Sequence, residues 1–329
     1  MKINVAIVAG GNSSEYQISV NSAGQVLKHL DKKRYNTHII LVRGNNWTLQ
    51  HDHMGDIQVN KNDFSCIING RKLTFDVVFI AIHGTPGEDG KLQSYFDLTG
   101  IPYTGSGAFT SCLTFNKYAC KVFLMNFGIA TAKAKLFRKR DYHRQKKEEL
   151  GLRFPCFVKP NNSGSSFGVS RIDRAGDLPG AVNKAFEEDD EVIVEEFIDG
   201  TEITCGIFKT GNESTIFPLT EIVSRKEFFD FEAKYTAGMA DEITPARIPE
   251  PLAEKCKNIS SLVYDALNCR GIVRIDYILS GKKLYFLEIN TVPGMSAESI
   301  IPKQVIASGM SLTDLYGTII EDALPAGKP

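Results

Sequence analysis

The chain lacks a segment that would cross a membrane: nowhere in its 329 residues are there ~20 consecutive apolar residues. The apolar run at residues 5–9 is followed by Gly10-Gly11 and has no cleavage-site pattern of a secretory signal. We therefore expect a cytoplasmic protein without a membrane partner.

Cysteine pairs are also missing. The seven cysteines form no Cys-x-x-Cys motif and have no histidine at zinc-binding spacing, so we expect them to be reduced and mostly buried. The formal net charge of -1 gives no general attraction to nucleic acid. Basic residues at 138–147 are followed directly by acids, which favours a solvated helix face or loop over a nucleic-acid patch. We expect no nucleic-acid partner.

Two common nucleotide-binding motifs are absent: there is no Gly-x-x-x-x-Gly-Lys-Ser/Thr, and no Gly-x-Gly-x-x-Gly follows a strand. A different phosphate-binding element is present. Backbone N–H groups of the small residues at 163–168 can surround a phosphate, and Lys159 lies just before them. By itself such a segment also fits a plain flexible loop.

The chain contains one pattern that is typical of a metal site. Apolar runs at 272–279 and 284–289 flank a Gly- and Lys-containing turn, which predicts a β-hairpin. Alternation along each strand puts Arg274 and Asp276 on one face, and likewise Glu288 and Asn290. Oxygen ligands of this kind suit Mg²⁺ together with substrate phosphates. The alternative is a hairpin whose polar residues simply face solvent.

The order of elements indicates an α/β fold. Strands are predicted at 3–9, 35–42 and 75–82, with a helix after the first strand capped by Ser13 or Ser14. This βα start favours a parallel sheet, in which ligands gather at the carboxyl ends of strands. Further on, a helix is predicted around 114–125 and a strand at 191–198. The length allows two or three domains, and we place boundaries near residues 104 and 198.

Eight motifs in series resemble the D-alanine:D-alanine ligases of the ATP-grasp superfamily and cover nearly the whole chain. They are Gly10-Gly11-Asn12-Ser13-Ser14-Glu15, His83-Gly84 to Glu88-Asp89-Gly90, Tyr103-Thr104-Gly105-Ser106, Asn116-Lys117, Lys159-Pro160 with Gly164-Ser165-Ser166, Glu232-Ala233-Lys234-Tyr235, Arg274-Ile275-Asp276, and Glu288-Ile289-Asn290 to Met295. The resemblance implies a three-domain ATP-grasp architecture over 1–104, 105–198 and 199–329. Its amino-terminal domain would have a parallel sheet, and the nucleotide would bind between the central and carboxy-terminal domains.

The resemblance also implies the nucleotide site. Lys117 and Lys159 would contact the ATP phosphates beneath a flap. Asp276, Glu288 and Asn290 would hold two Mg²⁺ ions, for which Mn²⁺ could substitute. The other implied nucleotide-binding residues are Gly164, Ser165 and Ser166 in the flap, Glu195, Glu196, Phe197 and Ile198 around adenine, Glu202 at the ribose, and Lys234. Glu196 departs from the lysine that is often found at this position in the family. From the residues alone, Glu195 and Glu202 could equally be exposed acids beside a strand end.

An amino-acid site follows from the same resemblance. Glu15 would hold the ammonium of the first D-alanine, in a hydrogen-bonded set with Ser165 and Tyr235. Arg274 and the Gly294 N–H would face the oxyanion. The remaining implied substrate contacts are His83 near the first D-alanine, and Ser299, Ile300 and Lys234 at the second. Alone, His83 at a strand end fits a structural histidine better than a catalyst.

The implied reaction is ATP-dependent formation of D-alanyl-D-alanine through an acyl phosphate, for peptidoglycan precursor synthesis, by a homodimer. Residues 228–241 would form a lid, although their composition fits a buried aromatic loop equally well. Tyr235 favours an amine over D-lactate as the second substrate. The competing interpretations are another ATP-grasp carboxylate-amine ligase and a nucleotide-binding regulatory module without turnover.

Overall fold

The computed structural model describes residues 2–51, 53–144, 151–164, 167–211, 213–224 and 240–325. The predictions for Ser165, Ser166, Lys234 and Tyr235, and for nearly all of the lid at 228–241, lie outside the described residues. The described strands are β1 Ile3–Gly10, β2 Tyr35–Arg43, β3 Asn46–Leu49, β4 Ile57–Gln58, β5 Cys66–Ile68, β6 Arg71–Leu73, β7 Val77–Ile80, β8 Ala134–Arg138, β9 Cys156–Pro160, β10 Ser170–Ile172, β11 Glu191–Glu196, β12 Thr201–Thr210, β13 Glu213–Ile216, β14 Thr220–Ser224, β15 Ala240–Ile243, β16 Val273–Ser280 and β17 Lys283–Asn290.

Helices lie between and after these strands. They are α1 Tyr16–His29, α2 Lys91–Thr99, α3 Ala108–Phe115, α4 Lys117–Met125, α5 Leu178–Ala185, α6 Glu250–Ala266, α7 Ile300–Ala307 and α8 Leu312–Ala323, with short 3-10 helices at Lys139–Arg144 and Ala175–Asp177. No helix in the described part of the chain is long and apolar enough to cross a bilayer. All seven cysteines are free, and all except Cys112 are buried. This agrees with the prediction that they are reduced and mostly buried.

The first sheet has the order β4-β3-β2-β1-β7. Its centre is parallel as expected, because β1 pairs with β2 and β7 in the same direction, but β3 and β4 add an antiparallel edge. The predicted serine cap of α1 is wrong. The capping position is Glu15, and no side chain caps the helix. Ser13 Oγ instead donates to the His83 carbonyl at 3.0 Å, which joins the β1 and β7 loops.

The second sheet has the order β10-β9-β11-β8 and is antiparallel, with α5 packed on it. Two details differ from the sequence analysis. Strand β8 was not expected and ends at Arg138, the first residue of the basic segment, and the helix predicted at 114–125 is broken at Asn116. The Asn116 side chain caps α4 by accepting from the Ala119 N–H at 2.9 Å. A new helix therefore starts at Lys117.

The third sheet, in the order β15-β14-β12-β16-β17 with β13 beside β12, contains the predicted hairpin. Strands β16 and β17 pair Arg274 with Asn290 and Asp276 with Glu288, and the register shifts immediately after Asp276. Buried Tyr277 and Phe286 lie in the core beneath this sheet together with residues of α6. The hairpin is thus held rigidly, which fixes the side chains on its polar positions.

The carboxy-terminal helices return to the first sheet. Val305 of α7 and Leu315 of α8 share one hydrophobic core with Val5 and Ile7 of β1. This packing places the loop after β17 beside the carboxyl ends of β1 and β7. The motifs from both ends of the chain therefore meet at one place.

Candidate active site

A cleft with a cavity volume of about 460 Å³ is lined by residues of the second and third sheets. Its lining contains most of the described residues that were expected to bind the nucleotide, namely Lys117, Lys159, Gly164, Glu195, Glu196, Phe197, Ile198, Glu202, Glu288 and Asn290. It also contains Lys121, which the sequence analysis did not single out. Apolar side chains such as Phe157 and Ile278 complete the walls. The arrangement offers cations and apolar side chains in one cleft.

Glu195 is the charged centre of this cleft. Its carboxylate is bound by Lys121 through one oxygen and by Lys159 through the other, at 2.7 Å for Lys159. All three side chains are buried, so the alternative of an exposed acid at Glu195 is wrong. Burial alone raises the pKa of Glu195, but the two ammonium groups lower it to about 2. Glu195 is therefore ionised at neutral pH.

Lys117 and Lys121 reach the cleft because α4 begins at its edge. The Asn161 carbonyl accepts the Lys117 N–H at 3.1 Å, and the Asn161 side chain accepts the Tyr118 N–H at 2.9 Å. Lys117 Nζ binds the Ser163 carbonyl and lies 3.6 Å from Glu288 Oε2. A lysine four residues later faces the same side of the helix, so this spacing is the signal that could have identified Lys121.

Glu196 points to a different partner from its neighbour. It accepts the Arg153 N–H at 2.9 Å, and its other oxygen contacts Arg153 Nη2 at 3.1 Å. The N–H groups of Glu196 and Phe197 donate to Lys133 and Pro155 carbonyls. Glu196 is thus bound to an arginine from the loop before β9, and these two backbone donors are used within the protein.

Asp276 is surrounded by donors on β12, β16 and β17. Its oxygens accept from Arg274 Nη2 at 2.9 Å, Thr204 Oγ1 at 2.9 Å and Asn290 Nδ2 at 3.3 Å. The buried carboxylate excludes the solvent-facing alternative for this residue. Burial lowers the pKa of Arg274, but the Asp276 carboxylate raises it by more. The net pKa lies above the ordinary value for arginine, so the guanidinium stays charged. Asn290 Oδ1 remains as the amide oxygen that could approach a cation.

His83 joins the first sheet to the loop after β17. Its Nδ1 donates to the Val292 carbonyl at 2.9 Å, since a carbonyl can only accept. Burial lowers the pKa of His83, so the ring is neutral and Nε2 accepts from Ser22 Oγ at 3.0 Å. Ser22 Oγ accepts in turn from the Met295 N–H at 3.2 Å. Both ring nitrogens of His83 are thus hydrogen-bonded within the protein, as expected for a histidine with a structural role.

Glu15 lies where three loops meet. A Cβ atom on Gly164 would be 2.4 Å from Glu15 Oε2, and one on Gly84 would be 2.8 Å from Ser13 Oγ. Gly84 also has a positive φ of 67°, which favours glycine. The Gly84 N–H donates to Glu88 Oε2 at 2.8 Å, and burial, followed by the nearby Glu15, raises the pKa of Glu88 to about 8. Glu88 lines the cleft, which links the Glu15 region to it.

Ser299 and Gly294 approach each other on the loop before α7. A Cβ on Gly294 would lie 2.6 Å from Ser299 Oγ, and Ser299 Oγ hydrogen-bonds Ser296 Oγ at 2.8 Å. Ile300, the first residue of α7, is half-buried. None of Glu15, His83, Arg274, Asp276, Gly294, Ser299 and Ile300 lines the described cleft itself. They lie beyond its Glu88 and Asn290 side.

Comparison with known proteins gives consistent matches along the chain. Residues 4–106 match a family model described as D-ala D-ala ligase N-terminus, and residues 123–321 match D-ala D-ala ligase C-terminus. The D-alanine–D-alanine ligase of Phocaeicola vulgatus is 47% identical over 98% of this chain and 99% of its own length. That of Azobacteroides pseudotrichonymphae is 48% identical over 97% of this chain and 99% of its own length.

Solved structures agree. The VanG D-Ala:D-Ser ligase from Enterococcus faecalis has a TM-score of 0.89 at 30% identity, covering 98% of this chain and 100% of that one. A D-alanine–D-alanine ligase from Bacillus anthracis, complexed with ATP, has a TM-score of 0.79 at 31% identity, covering 98% and 97%. The chain is a ligase that belongs to the D-alanine–D-alanine ligase family.

Proposed function

We propose that the chain joins two D-alanine molecules into D-alanyl-D-alanine, using ATP and releasing ADP and phosphate, and that the dipeptide serves peptidoglycan precursor synthesis in the cytoplasm. The observation that carries the proposal is the cleft in which Lys117 and Lys159 face the Glu288–Asn290 end of the hairpin. The relatives' printed names supply the two substrates.

ATP would occupy this cleft, between a central domain at 105–198 and a carboxy-terminal domain at 199–329, with an amino-terminal domain at 1–104. The cleft's lining residues, drawn from the second and third sheets, support that position. Apolar walls suit an adenine ring, and the lysines suit phosphate oxygens. Glu202 would bind the ribose. Ser165, Ser166 and Lys234 keep their proposed nucleotide contacts.

Two Mg²⁺ ions would be held by Asp276, Glu288 and Asn290. Two carboxylates and an amide oxygen are hard donors, which fits this ion. Among the residues that the structure describes, no group of three or more His, Cys, Asp or Glu could hold a metal unaided. Phosphate oxygens of the nucleotide would therefore complete the coordination. Bound magnesium would neutralise phosphate charge during the transfer.

The amino-acid residues would act on either side of the reacting carboxylate. Glu15, with Ser165 and Tyr235, would hold the ammonium of the first D-alanine, whose carboxylate takes the γ-phosphoryl group. The resulting acyl phosphate has a good leaving group, and the second D-alanine amine attacks it. Arg274 and the Gly294 N–H would bind the tetrahedral oxyanion. Ser299, Ile300 and Lys234 would place the second D-alanine, and His83 would support this loop through Val292.

A D-serine second substrate is the competing function, because the Enterococcus faecalis structure carries that name. Purified protein should release ADP in a D-alanine-dependent reaction with Mg²⁺. With equal D-alanine, D-serine and D-lactate, mass spectrometry should find mainly D-alanyl-D-alanine. ADP release that does not depend on D-alanine would reject the ligase, and a mainly D-alanyl-D-serine product would reject the substrate. We also propose a homodimer, which sedimentation analysis tests.

A further inference from the structure

Lys121 is a buried cation in the nucleotide cleft, and the resemblance did not assign it a role. It extends from α4 and binds the Glu195 oxygen that Lys159 does not bind. Only 3% of its side chain is exposed. A lysine buried to this extent needs a charged partner, and this one has Glu195. Glu195 also forms an ion pair with Lys159, so the charges of these three side chains must be considered together.

The charge of this group depends on Lys121. Burial lowers the pKa of Lys121, and the contact with Glu195 opposes this shift. With both lysines protonated, two ammonium groups face one carboxylate, and the three side chains together carry one net positive charge. Without Lys121, Glu195 would neutralise Lys159, and of the cleft's lysines only Lys117 would offer charge to an anion. In a buried cleft one unit of charge acts strongly on a neighbouring phosphate, because the effective dielectric constant is far below that of water.

A purely structural role would not require a lysine here. Its α4 neighbours Cys120 and Leu124 are buried in an apolar core, where an apolar residue would also fit. A buried ion pair contributes little to stability compared with well-packed apolar side chains. The lysine and the glutamate together cost desolvation energy, so a requirement for charge in the cleft explains them better than packing.

We propose that Lys121 is a positioning residue that occupies one oxygen of Glu195, so that the positive charge of Lys159 stays available to the phosphates of the nucleotide. This inference rests on the proposed function, since it assumes that the cleft binds ATP. It adds a residue whose effect on the nucleotide is indirect. Lys121 acts through Glu195 and Lys159 and is not itself a catalytic residue.

The test compares binding of ADP and of adenosine by calorimetry in the wild type, Lys121→Met, and the double variant Lys121→Met/Glu195→Gln. The double variant removes one charge of each sign and restores the net charge of the group. Lys209→Met is the matched control, because Lys209 also forms an ion pair, with Asp265 at 2.7 Å, but does not line the cleft. Thermal unfolding checks that each variant is folded.

We expect Lys121→Met to weaken ADP binding by about tenfold or more while adenosine binding changes by less than about twofold. The KM for ATP should rise and the KM for D-alanine should not. In the double variant the ratio of ADP to adenosine affinity should return to within about threefold of the wild-type ratio, because the loss of an adenine contact at Glu195 would affect both ligands alike. Lys209→Met should leave both ligands unaffected.

Three results would overturn the inference: unchanged ADP binding in Lys121→Met, equal weakening of ADP and adenosine in that variant, or a double variant whose ratio of ADP to adenosine affinity stays at that of the single variant. Lys121→Met keeps the Lys159–Glu195 ion pair, so this variant is expected to fold. If the double variant does not fold, because buried Lys159 has lost Glu195, the ADP and adenosine affinities of Lys121→Met decide alone. A wild-type protein that binds no ADP would instead refute the proposed function itself, so the two failures are distinguishable.

Discussion

Gly164→Ala should lower the enzymatic activity while leaving the stability nearly unchanged. The reason is that the new methyl group would collide with the carboxylate of Glu15. The added Cβ would lie 2.4 Å from Glu15 Oε2 and 3.0 Å from its Cδ. Ordinary contacts begin near 3.4 Å, so the carboxylate and the loop must separate by about 1 Å. Glu15 is buried, but the contact is with the end of its flexible side chain. The side chain can therefore turn without disrupting the core.

The expected magnitudes differ for the two properties. Displacing a substrate-positioning group by about 1 Å costs on the order of 10²-fold in rate. We therefore expect kcat/KM for D-alanine to fall by about 10²-fold, while the free energy of unfolding changes by less than about 1 kcal/mol. Gly180→Ala is the matched control, since a Cβ there meets nothing within 4 Å. Gly180 is the third residue of α5, and the substitution there should stabilise the protein by at most about 1 kcal/mol without changing kinetics.

Initial rates of ADP release as a function of D-alanine concentration, with urea unfolding of the same preparations, measure both quantities. Folded Gly164→Ala protein that keeps kcat/KM within about threefold of the wild type would refute the placement of Glu15 at the first D-alanine. A large loss of stability in this variant would instead show that the loop cannot separate from Glu15 at low cost.

Three further changes test other parts of the site. Arg274→Ala should lower turnover by about 10²-fold or more, the scale for losing an oxyanion donor, and near-normal turnover would remove Arg274 from that role. Asp276→Asn should raise the Mg²⁺ concentration needed for ADP release, whereas an unchanged requirement would contradict the ligand assignment. Burial raises the pKa of Glu88 from 4.5 to about 8. Between these pH values Glu88 keeps its proton in the folded state but not in the unfolded state, so the wild type loses stability as the pH rises. Urea unfolding at pH 5, 6.5 and 8 should find that Glu88→Gln lacks this loss, and parallel pH profiles for the two proteins would disprove it.

The local sequence pattern was sufficient to predict elements that are formed by residues close together in the chain. The hairpin at Val273–Ser280 and Lys283–Asn290 follows from alternating apolar residues and a Gly-containing turn. Its register did not follow from this pattern, because pairing counted from the turn would put Asp276 opposite Leu287. The register shift after Asp276 puts it opposite Glu288, and Asp276 contacts the Asn290 side chain at 3.3 Å. The break at Asn116 was missed because a cap depends on one side chain accepting one N–H, whereas the apolar pattern continues through it.

By itself, the sequence determined the hairpin, the βα start of the first sheet, and, through motifs in series, the family. Only the tertiary structure decided which charges meet. The ion pairs of Glu195 with Lys121 and Lys159, and the bond from His83 to Val292, join residues that are 36 to 209 positions apart. Periodicity reports which face of an element is apolar, but it does not report which element packs against that face. Burial and the partners of a charge are set by that packing, and they make Lys121 part of the site.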